Sequence, residues 1–165
     1  MQTAKKQLNQ EGYSKLALRS IAKECGIAVG TIYNYFPSKD MLVAYIMLED
    51  WEIALRTMRQ YCESTKNFLE GFSRIYDGII GFSELYKPVW GEYSFTGNAK
   101  YSFAERHRLI RGQIADLVRT LLLRFGQQRG DGMCDFLAES LLTVAVQEDL
   151  GFEPLAKVIA KLYDL

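Results

Sequence analysis

Proline is scarce in this chain, with 3 residues in 165, and histidine is scarcer, with 1. A sequence so poor in proline, and well supplied with Leu, Ala, Arg and Glu, favours helix over a turn-rich β architecture. One histidine rules out a multi-histidine metal site within a single chain. Cysteine is limited to Cys25, Cys62 and Cys134, with no CxxC pair, so neither a disulfide framework nor a thiolate zinc site is indicated. All three are expected to be reduced core residues. No apolar run approaches the length of a membrane span. The opening residues MQTAKKQLNQEGY lack the apolar stretch of a secretory leader. A cytoplasmic location, with no membrane partner, is therefore expected. There is no Walker loop, no GxGxxG and no HExxH. The adjacent carboxylates Glu148 and Asp149 point apart on a helix. No catalytic residue, metal site or cofactor is expected, and the chain is not expected to be an enzyme. Net charge is absent as well, with 20 Lys plus Arg against 20 Asp plus Glu. That excludes a uniformly basic protein that coats nucleic acid, but not a local basic patch.

What is present is an apolar fraction of 48%, enough for a core and too much for disorder. Charge is unevenly placed. Residues 1–40 carry six basic side chains, Lys5, Lys6, Lys15, Arg19, Lys23 and Lys39, against three acidic ones, a net +3 balanced by −3 in the remainder. A small basic head on an acidic body suggests that the head meets an anion.

The apolar spacing is helical nearly throughout. Ala4 and Leu8 mark a first helix, stopped near Gly12. Leu18, Ile21, Ala22 and Cys25 mark a second, stopped by Gly26, and Val29, Ile32, Tyr33 and Phe36 a third, ended by Pro37-Ser38. Ser38 is placed to cap a long fourth helix that runs to about residue 62, with Asp40 in its first turn. A fifth helix spans 66–82, and a shorter aromatic piece spans 83–95, interrupted by Pro88. A loop is expected around Gly97-Asn98. Three more helices cover 100–126, 133–149 and 153–163, giving about nine in all and no strand.

Residues 16–36, LALRSIAKECGIAVGTIYNYF, place two short helices around Gly26. Ala22 permits close approach, and Ile21, Ile27 and Ile32 can form a small core. This is the shape of a helix-turn-helix, or of an ordinary helical hairpin. The run Ile21-Ala22, Gly26, Gly30-Thr31-Ile32-Tyr33-Asn34-Tyr35-Phe36 and Ser38-Lys39-Asp40-Met41-Leu42 resembles the TetR family of bacterial transcriptional regulators, over about residues 12–48. The resemblance implies an all-α protein. Residues 1–40 would be a three-helix DNA-binding head, and residues 41–165 a helical ligand-binding and dimerisation body.

Within the head, the resemblance and the side-chain chemistry together mark Ala28, Gly30, Thr31, Tyr33, Asn34, Tyr35 and Lys39 as DNA-binding. Gly30 leaves room for the DNA backbone, and Thr31 offers a hydroxyl near the helix start. Tyr33 and Tyr35 can reach phosphates and thymine methyls, and Asn34 can both donate to and accept from an adenine edge. Lys39 would clamp a phosphate at the start of the fourth helix. Ala17 and Ala28 depart from the pattern, since the family usually has Ser or Thr there, and Gln7 stands where an apolar residue is usual.

In the body, aromatic residues crowd the middle of the chain. Trp51, Leu55, Met58, Phe82, Tyr86, Trp90, Phe103 and His107 are the expected lining of a pocket for an apolar or aromatic effector. His107 shares its face with Phe103 and Ile110. The penultimate helix is apolar around most of its circumference, which points to a second partner surface. Phe136, Leu137, Leu141, Val144, Leu155, Val158, Ile159 and Leu162 are the expected homodimer interface. By resemblance this joins two copies on a palindromic, double-stranded operator. The expected function is a ligand-responsive regulator that represses transcription and is released by its effector. The alternative is a dimeric protein-interaction module with a degenerate helix-turn-helix.

Overall fold

The computed structural model describes residues 1–93, 103–127, 130–147 and 149–164, with positions 91, 93, 103, 104 and 131 described by backbone alone. The expected loop around Gly97-Asn98 lies outside the described residues. Among the described residues there are eight helices and no strand: α1 (Gln2–Glu11), α2 (Leu18–Glu24), α3 (Val29–Tyr35), α4 (Lys39–Ser64), α5 (Phe68–Tyr93), α6 (Phe103–Arg124), α7 (Asp131–Val146) and α8 (Phe152–Leu162). None of them is long and apolar enough to cross a membrane.

The eight replace an expected nine because 66–82 and 83–95 are one helix. Pro88 lies inside α5 without ending it. Its missing N–H removes the bond to the carbonyl of Glu84, a local cost. The turns around it are held by burial of Ile79, Tyr86 and Val89.

The chain packs as two compact units, Met1–Trp51 with Glu84–Lys100, and Glu52–Ser83 with Tyr101–Leu165. In the first, the core is Ala4 and Leu8 of α1, Ile21 and Ala22 of α2, Ile32 of α3, Leu42, Val43, Ile46, Met47 and Trp51 of α4, and Tyr86 and Val89 of α5. Gly26 adopts φ 65 just past α2. Its N–H bonds the carbonyl of Lys23 at 3.2 Å, and the next N–H, of Ile27, bonds that of Ala22 at 3.0 Å. That pair of bonds is the Schellman ending, which needs a residue tolerant of the left-handed region. Ala17 and Ala28 precede α2 and α3 and give no side-chain cap. Ser38 does cap α4, its Oγ accepting from the N–H of Met41 at 3.1 Å.

In the second unit, Phe68 is set edge-on to Phe72, Phe125 and Tyr163, at centroid distances of 5.1–5.5 Å. Gly71 brings α5 against α6, where a Cβ would fall 2.4 Å from a Leu121 methyl carbon. Across α6 and α7, His107 meets Glu139 at 2.9 Å and Arg111 meets Asp135 at 3.5 Å. Cys62 and Cys134 are buried, as expected of core thiols, but Cys25 is exposed. It occupies the end of α2, where the chain turns out of the core at Gly26.

Candidate nucleic-acid interface

The basic head converges on α3, seven residues of which only Ile32 is buried. Ile32 packs toward Ile21 and Ala22 of the first unit's core, which leaves Val29, Gly30, Thr31, Tyr33, Asn34 and Tyr35 exposed. Tyr35 retains 75% of its surface and Tyr33 40%. Seven residues are too few to hold a helix by themselves. The conformation is fixed from outside, by the turn at Gly26 and by burial of Ile32. The N–H of Thr31 bonds the carbonyl of Ala28 at 2.9 Å, and that of Phe36 bonds Ile32 at 2.9 Å. Nothing lies within 4 Å of where a Cβ on Gly30 would stand, so the surface there is open.

Five of the seven residues read from the sequence for DNA, Gly30, Thr31, Tyr33, Asn34 and Tyr35, therefore share one uncovered element, and a sixth, Ala28, is exposed immediately before it. Lys39, the seventh, opens α4 and is half-buried. Its ammonium donates to the carbonyl of Tyr13 at 2.9 Å and lies 4.1 Å from the centroid of the Tyr13 ring. The phenolic O–H of Tyr13 donates to Asp40.

Four cations on the same head went unassigned in the sequence. Lys6, Lys15, Arg19 and Lys23 are exposed, and none makes an ion pair among the described residues. The signal for them was the charge asymmetry itself, which counts side chains without locating them. Such cations are suited to phosphates, while amide and phenol groups on α3 are suited to base edges.

Behind this surface Asp50 gathers three helices. Its Oδ2 accepts from the O–H of Tyr86 at 2.6 Å, its Oδ1 accepts from Lys5, and Lys5 also meets Glu49 at 2.8 Å. Burial first, then the bond to Asp50, pushes the phenol of Tyr86 well above its usual range. Burial works against the Lys5 ammonium, but Asp50 and Glu49 outweigh it and hold its pKa above the ordinary value.

The residues expected to line an effector pocket are divided between the two units. Trp51, Tyr86 and Trp90 fall in the first unit, and Leu55, Met58, Phe82 and His107 in the second. The side chain of Phe103 lies outside the described residues. Trp51, Met58 and Tyr86 are buried, and Met58 lies under Gly78. The His107 imidazole is taken by Glu139. A groove of about 690 Å³ runs along α6, lined by Arg106, Arg108, Leu109, Gln113, Asp116 and Arg119 among others, and by Asp135 of α7. None of the eight expected residues is among that described lining.

Of the expected interface residues, Leu137, Leu141 and Ile159 are inside the second unit's own core. Phe136 is 61% exposed and Val158 56%. Val144, Leu155 and Leu162 are half-buried.

A family model described as bacterial regulatory proteins, tetR family, matches residues 1–46. Along nearly its whole length the chain is similar to the HTH-type transcriptional regulator UidR of Escherichia coli K12, 33% identical over 164 residues that cover 98% of this chain and 80% of that protein. The HTH-type transcriptional regulator SAR2658 of Staphylococcus aureus MRSA252 is 34% identical over 86 residues, or 52% of this chain and 46% of that one. A solved TetR-family transcriptional regulator from Haemophilus influenzae RD matches with a TM-score of 0.52 at 22% identity, over 99% of this chain and 91% of that one. At that identity the likeness is one of fold.

Proposed function

The chain belongs to the TetR family and is a transcriptional regulator of that type, and from this premise we propose that it is a homodimeric repressor of a palindromic operator, released by an apolar or aromatic effector. The observation that carries the DNA half is the exposure of α3. Thr31, Tyr33, Asn34 and Tyr35 stand on a helix with one buried residue, beside exposed cations on α2. A helix so little covered is one whose surface is used elsewhere.

The dimer rests on Phe136 and Val158, two large apolar side chains on α7 and α8 left in water. Two-fold pairing would present two copies of α3 to successive major grooves, about 34 Å apart. The effector half rests on the surplus of aromatic side chains. It also rests on α4, a helix of 26 residues and about 39 Å that contributes to both units. An effector that favours one disposition of α4 shifts the population toward it. DNA and effector then weaken each other's binding by the same factor.

The uncapped starts of α2 and α3 favour a second reading, an interaction module with a relic helix-turn-helix. Titration of random-sequence DNA at several salt concentrations decides between them. A regulator binds, with log affinity falling linearly in log salt. A protein that shows no binding even at low salt is not a DNA-binding regulator.

A further inference from the structure

We propose that α3 reads A·T base pairs, Asn34 taking the edge of an adenine and Val29 the methyl of a thymine, and that no guanine is read from this helix. The inference rests on the DNA-binding reading of the head and names the sequence class that reading leaves open.

No residue from Gly26 to Ser38 carries a charge. That run holds the turn out of α2, all of α3 and the approach to α4. The commonest specific contact in a major groove is an Arg or Lys side chain on O6 and N7 of guanine, and α3 has neither residue. The exposed cations of the head, Lys6, Lys15, Arg19 and Lys23, sit on α1, on α2 and in the turn between them. In a helix-turn-helix the first of the two helices crosses the DNA backbone, which gives Arg19 and Lys23 to phosphates.

What α3 offers to bases is an amide and apolar surface. With Ile32 turned inward, the helical period places Gly30 and Asn34 on the opposite, outermost line of the helix. Nothing stands within 4 Å of where a Cβ on Gly30 would be, so the backbone there can approach the groove and bring Asn34 with it. Among the described residues no hydrogen bond within the protein holds the side chain of Thr31, Tyr33, Asn34 or Tyr35. The Asn34 amide can therefore accept from N6 and donate to N7 of an adenine, the bidentate match for that base.

Val29 opens α3 with 42% of its surface exposed. The N-terminal residues of a recognition helix are the ones that meet base edges. Of the groups a base pair displays in the major groove, the thymine methyl is the one that suits an apolar side chain. Ile27, 43% exposed, precedes the helix in the turn, so Val29 is the branched side chain that α3 itself carries to that methyl.

The test begins by selecting binding sites from a random double-stranded DNA library with the unaltered chain. Each thymine of a selected site is then replaced in turn by deoxyuridine, which removes one methyl and alters no hydrogen-bonding group. One position per half-site is expected to lose about fourfold in affinity, the worth of one buried carbon. Val29→Ala is expected to bind the thymine site more weakly and to be indifferent to that replacement. Asn34→Ala is expected to lose about 5- to 150-fold on the selected site and to accept any base at one A·T position.

The proposal is overturned if no thymine of a selected site is sensitive to loss of its methyl, a result that needs only the unaltered chain. It is overturned as well if Val29→Ala stays as sensitive as the unaltered chain, or if the position at which Asn34→Ala loses selectivity is a G·C pair. A chain that binds the library but enriches no sequence also overturns it. Absence of binding to the library even at low salt refutes instead the DNA-binding reading itself, a distinguishable failure.

Discussion

Replacing Tyr86 with Phe removes one oxygen and leaves the ring's packing in place. The side chain is 1% exposed, so no water replaces the lost O–H at the ring. Asp50 Oδ2 loses a donor held at 2.6 Å. A hydrogen bond to a charged group contributes about 1.5–3 kcal/mol. Asp50 keeps 19% of its side-chain surface and its bond to Lys5, so the lower half of that range applies, about 1.5–2 kcal/mol. For a chain of this size that corresponds to a fall in Tm of roughly 3–8 °C.

A second substitution checks the assignment. Lys5→Met takes the other donor from the same carboxylate, so the two losses should not add. With both donors gone, a carboxylate with little exposure has lost both of these partners. The double variant should be destabilised beyond the sum of the singles by at least about 0.5 kcal/mol. The alkaline limb gives an independent reading. Folded Tyr86 keeps its proton past the pH at which the unfolded chain releases it, so stability present below the ordinary value of 10.0 is lost as pH rises beyond it. Tyr86→Phe should flatten that loss. Urea unfolding followed by tryptophan emission, run at neutral pH and again above pH 10, measures all of these. Additivity within about 0.3 kcal/mol would refute a shared carboxylate. An unchanged midpoint in Tyr86→Phe would refute the hydrogen bond.

Three further expectations are open to direct measurement. Cys62 is pushed up from 9.0 to about 12, first by burial, so between those values the unfolded chain sheds a proton that the folded chain keeps; stability should fall by about 1.4 kcal/mol per pH unit, and Cys62→Ala should move the onset of alkaline unfolding upward. Gly71→Ala should destabilise by about 1–3 kcal/mol, because its Cβ would enter the Leu121 side chain, while Gly112→Ala, in open space on α6, should stabilise by about 0.4–1 kcal/mol; thermal melts of the pair check both signs. Phe136→Glu combined with Val158→Glu should give a folded monomer in sedimentation, whereas Leu141→Glu should unfold the chain, since Leu141 is fully buried within one copy.

The sequence revealed most where local rules decide the outcome. Gly26 marked the end of α2 because only a residue tolerant of positive φ closes a helix in that way, and Ser38 announced a cap that the Met41 N–H takes up. The exposure of α3 was not legible in its spacing, since Val29 and Tyr33 counted with Ile32 as apolar positions yet only Ile32 is buried. Pro88 misled, because the rule that reads it as a break is local, and burial on either side is not. The aromatic residues say less. Periodicity shows that Trp51 and Tyr86 are on an inward face, but it cannot say whether that face meets a cavity or other side chains. The apolar circumference of α7 overstated the interface for a related reason. α7 packs against both α6 and α8, so much of that circumference is needed within one copy, and Leu137 and Leu141 are spent there. Partners distant in the chain gave no signal at all. Nothing in the sequence says that Lys39 will bond a backbone carbonyl 26 residues away, or that His107 will meet Glu139.

The two missing caps bear on how the DNA-reading surface is kept in shape. A Ser or Thr at position 17 or 28 would supply about 1 kcal/mol each by bonding a free N–H at a helix start. Without them, α2 and α3 depend on what holds their far ends and their inner faces. At the far end of α2 the N–H groups of Gly26 and Ile27 are satisfied by Lys23 and Ala22. On the inner faces Ile21, Ala22 and Ile32 are buried. At the entry to α2, the turn is fastened by Tyr13 and, through it, by the first two residues of α4. Ser38, which caps α4, therefore acts at one remove on α2, because it orders the helix start from which Lys39 and Asp40 project. Stability of the reading head is in this way shifted from the starts of its own two short helices to the start of the long helix behind them.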